Sequence, residues 1–193
     1  VNTDGQLQPD RLNQILPTLL IAQGCHASLE SVAASWPLIV KALQDAGINS
    51  PLVQVAVAAT VAVETGRSFK PIKEKMANPH LQPELYARQM QYFPWIGRGF
   101  VQITWESNYR LFGSLIGVDL VSNREAACEP ETAAKVLAAF FHRNGIDKAA
   151  NAKDWSAVRG LVNAGHKVDH PERLRGWNEF NGYVLALLES IGE

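Results

Sequence analysis

Residues 50–66 read SPLVQVAVAATVAVETG, and no other stretch restricts the fold as strongly. Ser50 is a good helix cap and Pro51 suits the first helical position. At the helical period the apolar residues of LVQVAVAATVAVE fall on nearly every face. A helix without a polar side must be surrounded by protein, so this one is expected at the centre, with other helices around it. A carboxylate, Glu64, closes the apolar run just before Thr65 and Gly66.

The remaining pattern supplies the surrounding helices. QPDRLNQILPTLLIAQG predicts a first helix, interrupted or kinked near Pro17. SLESVAASWPLIVKALQDAG predicts a second that stops at a glycine. RSFKPIKEKMANPHLQPELYARQMQYFPW is rich in proline and poor in periodicity, which predicts an irregular lobe with one short helix from Glu84 to Met90. GRGFVQITW then alternates like a strand, Val101, Ile103 and Trp105 on an apolar side and Gln102 and Thr104 on the other. Further helices are predicted in WESNYRLFGSLIG, in PETAAKVLAAFFHRNG with Gly145 as its stop, and in WSAVRGLVNAG capped by Asp154. Pro171 is expected to open the last, ERLRGWNEFNGYVLALLES. The expected fold class is mainly α with some β, one domain over 1–193 with a small irregular or extended lobe.

Charge excludes some partners. Eighteen basic and nineteen acidic residues leave a net charge of -1 in 193 residues, which provides no global field for nucleic acid or an anionic membrane. The segment 141–175 is mildly basic, as a solvated helical face or a binding surface would be. No apolar run reaches the ~18 residues of a membrane span, and the start, VNTDGQLQPD, is polar rather than signal-like. Cys25 and Cys128 have neither a metal-ligand spacing nor a disulfide framework and are expected to be buried thiols. His166 and His170 are four apart, but Gly165 and Pro171 place them in a connection rather than on one helical face. No metal or cofactor is expected, and the chain is expected to be a monomer.

Glu64 is the first chemical candidate. The negative end of the helix dipole and apolar neighbours such as Val61 and Val63 would favour its protonated form, as a general acid requires. The plain alternative is the first exposed residue past a buried helix. Glu74, in KPIKEK, could face it across a cleft as a base that activates water, or could be an ordinary surface glutamate; Glu84 is the other candidate base. Gln102 and Thr104 could line the same cleft, an amide for sugar hydroxyls or N-acetyl groups and a hydroxyl for holding a water. Thr104 could also be no more than the cap of the following helix. Gly97 and Gly99 would allow a sharp turn or close packing before the strand. Tyr92, Trp95, Trp105 and Tyr109 surround this segment, as core aromatics or as platforms for sugar rings. There is no nucleophile elbow, phosphate loop or dinucleotide fingerprint.

The order and spacing of ETGRSFKPIKE, GRGFVQITWESNYR, LVNAG and PERLRGW resemble glycoside hydrolase family 19, in the short form of phage endolysins and related bacterial proteins. The resemblance runs from about residue 10 to the C-terminus, and GRG-x-x-Q-x-T-x-x-x-NY is its specific part. It implies a lysozyme-like fold, two lobes around a substrate cleft, and hydrolysis of β-1,4 bonds beside N-acetylated sugars with inversion. Position by position it implies Glu64 as general acid, Glu74 as general base and Thr104 as the residue that helps hold water. Gln102, Asn108, Tyr92, Asn163 and Arg173 are then expected to contact the sugar. Three departures stand out: Val63 in place of a histidine, one extra residue between Glu64 and Glu74, and Asn163-Ala164-Gly165 in place of an Asn-Gly-Gly turn. The chain also lacks the cysteines and long loops that characterise the plant chitinases of that family. The expected substrate is therefore peptidoglycan, with chitin as the alternative and a binding protein without catalysis as a further one. An endolysin of this kind would act from a host cytoplasm on the cell wall, or after secretion.

Overall fold

A computed structural model describes residues 9–24 and 27–192; Cys25 and the first eight residues lie outside the described residues. The central helix is α3, Pro51–Glu64. Ser50 accepts the Val53 amide at 3.2 Å, and Val53 to Ala62 are buried without interruption. Around it pack α1 (Pro9–Ala22), α7 (Ile146–Asn151), α8 (Trp155–Ala164) and α9 (Trp177–Ile191), while α2 (Leu29–Asp45) lies between α1 and α6 (Pro130–Arg143). A helix apolar all round is thus enclosed by helices that are apolar on one side only.

The expected break at Pro17 does not occur, and α1 runs through it. Leu12, Leu16 and Leu20 are all fully buried on one stripe of this helix. Burying three leucines contributes about 1.5–3 kcal/mol each, which outweighs the ~3 kcal/mol that an internal proline costs. Pro171 is corrected in the opposite sense. It opens one 3-10 turn, Pro171–Arg173, Leu174 is extended, and α9 starts at Trp177 only after Gly176 at φ +71°.

The irregular lobe follows α3. It holds β1 (Ile72–Lys73), α4 (Pro83–Met90), β2 (Arg98–Gly99), α5 (Glu106–Ile116) and a 3-10 turn over Arg124–Cys128. The strands pair antiparallel, Ile72 opposite Gly99 and Lys73 opposite Arg98. GRGFVQITW is not a continuous strand. Gly99 at φ +87° and Gln102 at φ +52° reverse the chain, so that Ile103 pairs back onto Arg98. Alternation across a reversal does not sort faces, and Trp105, expected on the buried side, is 47% exposed.

Two buried clusters result. The larger surrounds α3, and the smaller consists of Ile103, Tyr109, Phe112, Leu120 and Val136 with small neighbours. Val101 and Phe140 pack against both. The fold is therefore mainly helical, with two lobes, the smaller of which holds the short two-stranded element. Arg98 locks the smaller lobe: its guanidinium donates to the Ile96 carbonyl at 3.1 Å, the Tyr109 hydroxyl at 2.9 Å and Glu125 at 2.7 Å. Cys128 is half-buried rather than buried, its thiol 3.6 Å from the Ile72 carbonyl.

Candidate active site

Between the lobes lies a cavity of about 750 Å³. Val63, Glu64, Arg159 and Arg175 line it from the larger lobe, and Lys73, Glu74, Tyr92, Gly97, Gln102 and Thr104 from the smaller. A second hollow of about 320 Å³ continues past Glu64, Gln102, Thr104 and Arg175 to Asn108, Phe140 and Asn163. Together they form a groove with Glu64 and Thr104 at its middle.

Glu64 reaches this groove because the last turn of α3 emerges from the core there. The expected apolar surroundings need correction on one side. The Arg159 guanidinium, 1% exposed, donates to Glu64 Oε1 at 2.6 Å. Its other nitrogens donate to the Arg175 carbonyl, and its central carbon lies 6.0 Å from the centroid of the Phe180 ring. Glu64 itself keeps 21% of its side-chain surface exposed, and its Oε2 has no partner among the described residues. Sequence reasoning missed Arg159. Its one available signal was a charge in the middle of VRGLV, on a helix whose neighbours are apolar.

Glu74 is not a free surface residue, although lysines flank it. Gln89 donates to its Oε1 at 2.8 Å, the Tyr92 hydroxyl donates to the same oxygen at 3.0 Å, and the Gly97 amide donates to Oε2 at 3.0 Å. Its own amide donates to the Gly97 carbonyl at 2.8 Å. The first glycine of GRG is thus paired with Glu74 through both backbone groups. A Cβ on Gly97 would sit 2.8 Å from Gln102 Oε1 and 3.4 Å from Glu74 Cβ. Desolvation first, and the bond to Glu74 second, push the Tyr92 hydroxyl up to about 12, so it remains a donor at any ordinary pH. Glu84 is exposed in the first turn of α4 and lines neither cavity.

Thr104 lines both hollows and does not cap α5. Trp105 occupies the cap position at φ +70° without a side-chain cap bond. The Thr104 hydroxyl makes no hydrogen bond among the described residues, whereas its carbonyl accepts Asn108 Nδ2 at 2.8 Å. Gln102 differs from expectation. Its amide nitrogen is spent on the Ile72 and Gly99 carbonyls, at 3.0 and 2.9 Å, so its first task is to tie the two strands together. Only Oε1 remains available, beside Gly97.

By sequence, no protein family model matches the chain, and no curated protein does. By structure, chitinase C from Streptomyces griseus is similar over 96% of this chain and 76% of its own length, at a TM-score of 0.59 and 17% identity. A mutant of chitinase C is similar over 96% of this chain and 92% of its own, at a TM-score of 0.58 and 18% identity. The chain has the fold of chitinase C.

On this chitinase C fold the last expected site residues separate. Asn163 lines the second hollow, but from the end of α8 rather than from a turn; Gly165 at φ +75° ends that helix. Arg173 is corrected: it is exposed in the 3-10 turn and lines neither hollow. Arg175 lines both, because extended Leu174 and left-handed Gly176 turn the chain inward between them. Gly176 has no room for a side chain, since a Cβ there would meet Val63 Cγ1 at 2.5 Å. Val63, at the position where many chitinases of the resembled family carry a histidine, thus packs closely against the chain at Gly176.

Proposed function

We propose that the protein is an inverting glycoside hydrolase of the family 19 type, cleaving β-1,4 bonds in polymers of N-acetylated sugars. One observation carries the reading: two carboxylates, each fixed by donors from its own lobe, border one groove together with an unpaired threonine hydroxyl. Glu64 is the acid. Arg159 holds Oε1, which leaves Oε2 to deliver a proton to the leaving oxygen. Glu74 is the base. Its three donors orient it: Oε1 accepts two of them, and Oε2, which accepts only the Gly97 amide, retains a lone pair for a water. Thr104 helps to hold that water for attack at the anomeric carbon, and the sugar leaves with inverted configuration. Asn108, Asn163, Tyr92 and Gln102 Oε1 provide polar contacts along the groove.

Peptidoglycan is the proposed substrate, on the sequence resemblance to the endolysin branch, and the site of action is the cell wall. Chitin is the second reading, favoured by the fold shared with chitinase C. Mass spectrometry of products from purified peptidoglycan and from chitin oligomers, with wild type beside Glu64→Gln, separates them. Products ending in reducing muramic acid, absent with the variant, support the first reading. Cleavage of chitin oligomers alone supports the second, and equal turnover by the variant overturns Glu64 as the acid. The anomer released, read by proton NMR in the first minutes, tests inversion independently.

A further inference from the structure

Seven charged residues line the larger cavity, and their pairing is uneven. Glu64 is matched by Arg159, Lys73 by Glu125 at 2.8 Å, and Glu74 is held by neutral donors. Lys75, Arg88 and Arg175 also line it, are exposed, and make no side-chain ion pair among the described residues. Arg88 stands on α4 near enough to Tyr92 to act on its hydroxyl through charge. Arg175 stands opposite, its carbonyl anchored by Arg159 beside the acid. Cations thus approach the groove from both lobes, in a protein of net charge -1.

A neutral polysaccharide offers such cations nothing beyond ordinary hydrogen bonds. A carboxylate on the bound sugar would give each a charge-assisted contact, and the forked guanidinium of arginine suits it particularly. Resting on the glycosidase reading above, we propose that Arg88 and Arg175, aided by Lys75, are specificity residues that select a glycan bearing carboxylates at the sugars beside the cleaved bond. Two sources share this chemistry: the lactyl carboxylate of muramic acid freed of its peptide, and the acidic groups of an attached stem peptide.

The test uses peptidoglycan glycan strands in two forms, stripped of peptides by an amidase or carrying them, each before and after conversion of its carboxylates to amides. Wild type is expected to cleave at least one acidic form with kcat/KM about ten-fold above its amidated counterpart, as ~1.4 kcal/mol of charge-assisted contact gives. Preference confined to the stripped strands assigns the lactyl group, and preference confined to the peptide-bearing strands assigns the stem. In Arg88→Gln/Arg175→Gln the ratio is expected to fall to about two, mainly through KM. Both positions are exposed, so the melting temperature should stay within a few degrees of wild type. At ~1 M salt, where screening acts over about 3 Å, the wild-type ratio should shrink as well. Equal rates on acidic and amidated strands, or a ratio unchanged in the double variant, overturn the inference. Turnover that survives Glu64→Gln overturns Glu64 as the acid, and no cleavage of any strand by wild type instead overturns the glycosidase assignment on which the inference rests.

Discussion

At the residue scale the two carboxylates owe their placement to neighbours distant in sequence. Arg159 lies ninety-five positions from Glu64 and meets it at 2.6 Å. In Arg159→Met, Glu64 loses the donor that orients it, and displacement of a reacting group by about 1 Å costs on the order of 100-fold in rate. We expect a loss of that size in kcat, with a stability cost of about 1–3 kcal/mol for the orphaned Arg175 carbonyl and Glu64; kinetics and thermal melts on one preparation check both. Tyr92→Phe is expected to lower kcat about ten-fold by removing one of three donors to Glu74. It also has a pH signature. The hydroxyl is held well above its ordinary value of 10.0, at about 12, so its contribution to stability is complete below pH ~10 and is lost as pH rises through ~12. The wild type should therefore lose stability more steeply than Tyr92→Phe over that interval, as measured by circular dichroism. Glu64 was legible beforehand because it terminates an apolar helix. Glu74 was legible as a possible second carboxylate across a cleft and through the family resemblance, but its donors were not, since they come from α4, the following loop and Gly97.

At the scale of elements, the Gly97-Arg98-Gly99 segment explains why its glycines flank an arginine. Gly97 permits contact with Glu74 and Gln102, Gly99 takes φ +87° and lies where a Cβ would meet the Ala127 carbonyl at 3.0 Å, and Arg98 joins three parts of the lobe. Gly97→Ala should push Gln102 and Glu74 aside while leaving the larger core intact. The expected outcome is at least a ten-fold loss of turnover with a small change in melting temperature, measured side by side. The clamp also has an acid limit. The bonds from Lys73 and then Arg98 hold the Glu125 carboxyl below its usual 4.5. Its stabilisation is therefore present above that value and is lost as pH falls below it. Melting temperatures between pH ~5 and ~3 should decline less steeply in Glu125→Gln than in wild type. Helices were readable wherever a cap and a period coincide, as at Ser50 and Asp154. The reversal inside GRGFVQITW was not, because the left-handed backbone at Gln102 is imposed by the carbonyls that its side chain must reach.

For the whole molecule, the groove exists because two apolar clusters are joined through few side chains, Val101 and Phe140 among them. A glycan lying in it touches both lobes and should hold them together. A soluble oligosaccharide substrate added to Glu64→Gln at about 100 times its Kd is expected to stabilise the protein by ~2.7 kcal/mol, seen as a rise in melting temperature; no rise would argue against binding in this groove. The sequence alone determined the central helix, its enclosure by amphipathic helices, the position of Glu64 at its emerging end and the irregular character of residues 67–95. These follow from local periodicity, capping and burial, which a one-dimensional pattern records. Only the tertiary structure decided that Arg159 pairs with Glu64, that Glu74 rather than Glu84 lines the same cavity, that Gln102 braces the strands, and that Arg175 rather than Arg173 lines the groove. Each depends on where a side chain meets a partner from another element, and such meetings are set by packing between helices rather than by any spacing along the chain.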